Sequence, residues 1–402
     1  MSCRICGSNT KTFLDLGNSP PANSLLSKPI REINKFPLVL EYCTNCKSVQ
    51  LRDCLDAEDL YKHYFYETPK SLTLDQHYRY LTNFLETRNY LNKNTTVVEV
   101  GSNVGDYLKF IQPKVSSILG VDPAENIAHK ANKEGIPTIP DFFNLDVAKD
   151  ILKKRGNVDL IIARHCFAHN SNPHELLKAS KELLSKDGHL VIENAYVLNT
   201  LENNEFDQIY HEHMFYFSIQ SMQKALSING LKLIDIMISL IHGGSIVFIA
   251  SNIQKVAKKS DSLEKYLNHE LTFLNEELLY NFARNTLKIK DDLKKIIRDI
   301  INSEKNVIYS YGATAKGNTL INFLELEDGV ISYCVDSTKI KQNQFLPGSN
   351  IRIVDENFAK SNPPNYFLLT AWNYKDEIIK KVREAGDLDS IFIVPFPSPH
   401  FA

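Results

Sequence analysis

Val98-Glu99-Val100-Gly101-Ser102-Asn103-Val104-Gly105 reads as a buried strand that runs straight into a glycine-rich turn. β-branched residues favour the strand, and the glycines mark where the chain turns. The signal repeats downstream. Residues 117–121 read as a second strand, closed by Asp122, with a third over 159–163 and a fourth over 189–193. Helical patterns fall between them, over 125–134 and 174–184, the latter closing at Ser185-Lys186-Asp187-Gly188. Strand–helix alternation predicts a parallel sheet with helices on both faces. Ligands of such sheets bind at the carboxyl ends of the strands.

Those ends carry chemistry. Glu99-x-Gly101-x-Asn103-x-Gly105 follows the first strand, and Asp122 closes the next one about 20 residues later. Glycine lets a ligand approach the backbone, a helix N-terminus gives a polar floor, and a strand-end acid accepts ribose hydroxyls. Dinucleotides and S-adenosylmethionine both suit this layout. The turn does not match GxGxxG. A strand-end acid followed by GxxxG resembles class I methyltransferases, which makes Glu99, Gly101, Asn103, Gly105 and Asp122 the expected cofactor-binding residues.

Acid–base groups concentrate in Tyr210-His211-Glu212-His213, between Phe206-Asp207 and Phe215-Tyr216-Phe217-Ser218. One imidazole, an orienting carboxylate and a phenol form a coherent proton-transfer set. The flanking aromatics imply partial burial, and buried ionisable groups need partners. In Arg164-His165-Cys166-Phe167-Ala168-His169-Asn170, one histidine is expected to face the cleft and the other to pack. Ile241-His242-Gly243-Gly244-Ser245-Ile246 leads into a strand over 246–250, and its glycine pair offers a substrate access to the backbone.

Cys3-x-x-Cys6 and Cys43-x-x-Cys46 are two knuckles able to place four thiolates around one structural zinc ion. The resulting module, residues 1–70, is too short to bury much core unaided, and a metal compensates. Cys54, Cys166 and Cys334 are expected to be small buried hydrophobes. Residues 255–303 read as a helical region with an apolar stripe that includes Leu263, Leu267, Leu271, Leu274, Leu287 and Leu293. The strand–turn–helix–strand–acid pattern then returns: a strand over 306–310, Tyr311-Gly312-Ala313-Thr314-Ala315-Lys316-Gly317-Asn318, a helix over 319–324, and a strand over 331–335 before Asp336. This predicts a second Rossmann-like unit. Lys316 and Lys341 are candidate partners for the phosphates of a substrate.

The 402 residues favour two or three domains, here 1–70, 71–252 and 253–402. Hydrophobic content of 43% and charged content of 23% are those of a soluble globular protein. A net charge of −2 supplies no basic field for nucleic acid or anionic lipid. No apolar run nears the ~20 residues of a membrane span. Met1-Ser2-Cys3-Arg4 lacks the regions of a signal peptide, so a cytoplasmic protein is expected.

Taken together, the cysteine knuckles with Asp15-Leu16-Gly17 and Pro21-Ala22-Asn23, the Glu99–Gly105 turn, Asp207-x-Ile209-Tyr210-His211-Glu212-His213, His242-Gly243-Gly244-Ser245 and Tyr311-Gly312-Ala313-x-Ala315-Lys316-Gly317-Asn318 resemble the sugar-nucleotide C-methyltransferases of deoxysugar biosynthesis. The resemblance covers nearly the whole chain. It implies a zinc module, a central S-adenosylmethionine domain and a C-terminal Rossmann-like domain. It also implies a nucleotide-linked 4-keto-deoxysugar substrate and a monomer. His213 would then take the C3 proton, with Glu212 orienting it, Tyr210 holding the sugar, and His169 and Tyr64 also in the site. His242 and Gly243, with Lys316 and Lys341, would bind substrate. Glu67-Thr68-Pro69-Lys70-Ser71 departs from the serines that the family carries after its tyrosine pair. Competing readings are O- or N-methyl transfer to a sugar nucleotide, a nicotinamide-dependent sugar oxidoreductase, and a non-catalytic zinc-bearing binding protein.

Overall fold

The computed structural model describes residues 1–56, 60, 71–239, 241–254, 259–303 and 306–402, without the side chain of His242. Tyr64 lies outside the described residues. The N-terminal part contains antiparallel strands β1 (Thr10–Ser19), β2 (Phe36–Cys43) and β3 (Val49–Leu51). The central part holds β4 (Thr96–Val100), β5 (Ser117–Val121), β6 (Thr138–Ile139), β7 (Val158–Arg164), β8 (Leu184–Ala195), β9 (Phe215–Tyr216), β10 (Leu231–Ser239) and β11 (Ser245–Asn252). β12 (Ile308–Tyr311), β13 (Tyr333–Val335), β14 (Arg352–Val354), β15 (Tyr366–Leu369), β16 (Ile391–Val394) and β17 (His400–Phe401) complete the chain.

The central sheet runs β10-β11-β8-β7-β4-β5-β6, parallel from β8 to β6 and antiparallel at β10 and β11. Val98, Val100, Leu119 and Val121 pack into one core; Val97, Ile118, Leu160 and Ile162 pack into another across the sheet. Burial on both faces is why these strands read as near-continuous apolar runs. β8 begins at Leu184, opposite Val158, and the register then shifts so that His189 lies opposite Leu160. The turn expected over 185–188 is thus an irregularity inside the strand.

The C-terminal sheet, β14-β13-β12-β15-β16-β17, is parallel except for β17. β4 lies between β5 and β7, and β12 between β13 and β15. Each sheet therefore reverses its strand order at its first strand, the place where open α/β sheets form a ligand crevice.

The N-terminal sheet gains a strand from far along the chain, because β9 pairs with β3. This places the motif around residue 213 against that module. The helical region divides into Asp261–Phe273 and Glu276–Asn302, where Asn275 Oδ1 accepts the Leu278 N–H at 3.0 Å and starts the second helix. Leu263, Leu274 and Leu293 are buried as the stripe predicted, whereas Leu271 and Leu287 are exposed. The second helix buries Leu279, Phe282, Ile289 and Leu293, a face that leaves Leu287 outside. No helix of the described residues is long and apolar enough to cross a membrane.

The Sγ atoms of Cys3, Cys6, Cys43 and Cys46 all lie within 4.8 Å of one another, with Cys3–Cys46 and Cys6–Cys43 at 3.5 Å. A sulfur tetrahedron around zinc with ~2.3 Å arms has edges of about 3.8 Å, so the four thiols fit one ion. They are free cysteines, not disulfides. Cys334 is buried as expected, while Cys54 and Cys166 are half-buried.

Candidate active site

One cavity of about 750 Å³ opens between the carboxyl ends of the central and C-terminal sheets. Each sheet lines it with the same device. Behind β4, Asp122 Oδ2 accepts the Asn103 N–H at 2.8 Å and Oδ1 accepts the Ala124 N–H at 3.0 Å. Behind β12, Asp336 Oδ2 accepts the Ala313 N–H at 2.8 Å and Oδ1 accepts the Thr338 N–H at 2.8 Å. Burial pushes the Asp122 carboxyl up, and its two backbone donors oppose that shift. Gly101, Asn103 and Asp122 all line the cavity. A glycine-rich turn with an oriented strand-end carboxylate fits a nucleoside-bearing cofactor.

Gly105 acts differently. It is the N-cap of the helix Asp106–Ile111 at φ +80, and a Cβ there would stand 2.6 Å from Ile136 Cγ2. It shapes the turn without lining the cavity. Glu99, expected in the cofactor set, stands behind the cavity wall. It is fully buried off the cavity wall, and its Oε1 accepts two N–H groups of Arg164 at 2.9 and 2.8 Å. A buried carboxylate requires such a partner. Arg164 does line the cavity, lying 4.4 Å from the Tyr107 ring centroid.

His213 sits across the cavity. Its Nδ1 is 3.0 Å from the Gln208 carbonyl, which can only accept, so Nδ1 carries the proton. Nε2 then presents a lone pair, which accepts the Tyr210 hydroxyl at 2.5 Å. The His169 ring lies 5.2 Å from the His213 ring, centroid to centroid. Burial, with His169 adding, pushes His213 well below the usual histidine range. Burial likewise lowers His169 to about 4 and His165 to about 4. Neutral imidazoles, one of them holding a lone pair against a phenol, constitute a proton acceptor and a neighbouring donor.

Glu212 also departs from its expected place. His213 bonds elsewhere through both ring nitrogens, and Glu212 Oε1 accepts from Asn23 Nδ2 at 2.9 Å. The carboxylate ties the central domain to the N-terminal module rather than orienting the imidazole. Gly243 departs too. It does not line the cavity; its carbonyl accepts from Asn199, and a Cβ there would stand 2.7 Å from Glu205 Oε2. The glycine pair makes room for the side chains of Glu205 and Asn199. His165 and His169 both line the cavity, where one was expected to pack away.

Lys316 and Lys341 reach the cavity from the C-terminal domain. Lys341 Nζ donates to the Ala313 carbonyl at 2.8 Å and lies 3.8 Å from Asp336; Lys316 Nζ lies 5.2 Å from the Trp372 ring centroid. The sequence reading gave no role to Asn23, His77, Arg164 or Gln208, all of which line the cavity. His77 lies 2.8 Å from fully buried Glu193. Burial acts to raise Glu193, but His77, His165 and Arg164 together outweigh it and hold the carboxyl at about 2. Asn23, Arg164 and Gln208 fall inside segments that the sequence marked, whereas His77 carried no signal.

Residues 73–236 match the family described as "Methyltransferase domain", residues 240–397 match "C-methyltransferase C-terminal domain", and residues 3–61 match "Putative zinc binding domain". C-methyltransferase NovU from Streptomyces niveus is 35% identical over 404 residues, covering 99% of this chain and 96% of NovU. The chain belongs to the C-methyltransferase family. It is an S-adenosylmethionine-dependent methyltransferase of class I fold, with a zinc-binding N-terminal domain and methyl transfer directed to carbon.

Solved structures with a likeness to it include the magnesium protoporphyrin IX methyltransferase ChlM from Synechocystis PCC 6803 with bound SAM. That pair has 12% identity and TM-score 0.34, covering 47% of this chain and 87% of ChlM. N-methyltransferase NodS from Bradyrhizobium japonicum WM9 has 11% identity and TM-score 0.33, covering 45% and 96%.

Proposed function

We propose that this C-methyltransferase acts on a nucleotide-linked 4-keto-deoxysugar and methylates C3, the carbon next to the ketone. The observation that carries the reading is the His213–Tyr210 pair, with Nδ1 proton-bound to a carbonyl and Nε2 facing the phenol, in a cavity shared by two nucleoside-type turns.

The ketone acidifies the C3 hydrogen. His213 Nε2 takes that proton, and burial keeps the imidazole in the neutral form this step needs. Tyr210 moves its hydroxyl from Nε2 to the ketone oxygen and stabilises the enolate charge. The bound sulfonium supplies the electrophilic methyl group. The electron pair left at C3 would take up that methyl group as the carbon–sulfur bond breaks to leave a neutral thioether, and His213 would release its proton to solvent. Gly101, Asn103 and Asp122 are the cofactor-side residues, and Asp122 is the acceptor for the ribose hydroxyls. Lys316 and Lys341 face the diphosphate of the sugar nucleotide, a reading supported by their place on the opposite wall. His169, beside His213, completes the acid–base cluster.

His213→Gln is expected to abolish methyl transfer while S-adenosylmethionine still binds, read by mass after incubation with 4-keto-6-deoxyhexoses linked to different nucleoside diphosphates. Turnover retained by the variant refutes the base assignment. Wild-type protein that binds S-adenosylmethionine but methylates none of the 4-keto substrates refutes the substrate class.

A further inference from the structure

Two consecutive residues shortly before the Tyr210–His213 motif, Phe206 and Asp207, are gripped by the C-terminal domain. Phe206 packs edge-on against Phe323 and Phe396, with ring centroids 5.0 and 5.2 Å apart. Asp207 is fully buried, and its Oδ2 accepts the indole N–H of Trp372 at 2.7 Å. Gln208 then presents the main-chain oxygen that receives the His213 Nδ1 proton at 3.0 Å and the Tyr216 hydroxyl at 2.9 Å. Trp372 follows β15 and sits between Ala371 and Asn373, both on the cavity wall. Its ring packs 5.3 Å from Phe396, under Lys316.

Asp207 does not line the cavity, so it has no contact to make with substrate. Packing of the two domains does not require it either, since apolar residues hold such interfaces as well as buried polar ones do. What a carboxylate and an indole add is direction. The indole has one donor in a fixed place, and it pins the residue next to the carbonyl that decides which ring nitrogen of His213 is protonated.

We propose that Trp372 and Asp207 are positioning residues for His213, acting through the Gln208 carbonyl. The C-terminal domain thereby sets the tautomer of a base that belongs to the central domain. The inference rests on the reading of His213 as the base. The contact that does the positioning crosses the domain boundary, from a strand end of the C-terminal sheet to a turn of the central domain. A catalytic set on one domain is thus assembled only when the other is docked.

The test uses full-length protein labelled with ¹⁵N-histidine and saturated with S-adenosylhomocysteine, with the His213 signals assigned by their loss in His213→Gln. The wild type is expected to show one tautomer, protonated at Nδ1. Trp372→Phe keeps the ring and removes the donor; Asp207→Leu removes the acceptor. Both are expected to show a mixture of tautomers, and methyl transfer is expected to fall roughly tenfold or more with cofactor affinity within about twofold of wild type. Asp207→Asn keeps an acceptor and is expected to retain the wild-type tautomer. This rescue separates positioning from folding should either of the other variants be unstable. A single Nδ1–H tautomer persisting in folded Trp372→Phe and Asp207→Leu overturns the proposal. Retained methyl transfer in His213→Gln instead removes the base reading, a result the tautomer spectra do not affect.

Discussion

Two contacts suit His213 to the base role proposed for it, and neither comes from the residue beside it in the motif. The Gln208 carbonyl fixes the proton on Nδ1, and the Tyr210 hydroxyl bonds the unprotonated Nε2. The nearby Glu205 shows how much ionisation cost this region carries. It is almost fully buried, close to Gly243 and Gln208, and burial pushes its carboxyl up to about 8. In the unfolded chain a glutamate titrates near ~4.3. A raised acid favours the folded state while it is neutral, and that contribution is lost as pH climbs through the folded value. Glu205→Gln does not titrate. The variant is therefore expected to gain stability relative to wild type between about pH 5 and pH 8, by on the order of a few kcal/mol. Urea unfolding at both ends of that range measures it, and a gap that stays constant with pH rules the assignment out.

The turn between β4 and the helix Asp106–Ile111 is held by geometry that only one residue type meets. Gly105 is left-handed and abuts Ile136, so Gly105→Ala combines backbone strain with a clash against a branched core side chain. A loss of roughly 1–3 kcal/mol in unfolding free energy is expected, with weaker S-adenosylmethionine binding as the turn shifts. A urea midpoint unchanged from wild type argues that the turn adapts, and with it that glycine is dispensable there. The second turn, between β12 and the helix Ala315–Leu324, repeats the design down to the carboxylate accepting a backbone N–H at 2.8 Å. Strand and helix periodicity made both units legible. The long helical region was legible only in part. Its break at Asn275 is a local cap, and the burial of Leu287 depends on which face the helix turns to its neighbours.

Across the molecule, the N-terminal module is a structural part of the site rather than an appendage. β9 pairs with β3, Asn23 donates to Glu212, Asn318 Nδ2 donates to the Ala22 carbonyl at 3.3 Å, and Leu26 bridges Phe345. Zinc removal should therefore be felt at the cavity. Purified protein is expected to hold about one zinc per chain, lost in Cys43→Ser. That variant is also expected to unfold at lower temperature and to lose methyl transfer out of proportion to cofactor binding. Metal analysis and calorimetry check both claims; full activity in zinc-free protein would disconnect the module from catalysis.

The sequence by itself determined what local rules govern. Strand and helix periods, glycine turns, strand-end acids and paired cysteine knuckles each act over a few residues, and together they specified most strands of the central sheet, the first two strands of the C-terminal sheet, both glycine turns and the cysteine cluster. Tertiary structure alone decided which polar groups meet. Glu99 went to Arg164, Glu212 to Asn23, and the glycine pair to Glu205 and Asn199. Buried charges and orphan donors take whatever partner the packed domains bring within hydrogen-bond reach, and those partners lie tens to hundreds of residues apart, a distance that no spacing along the chain encodes.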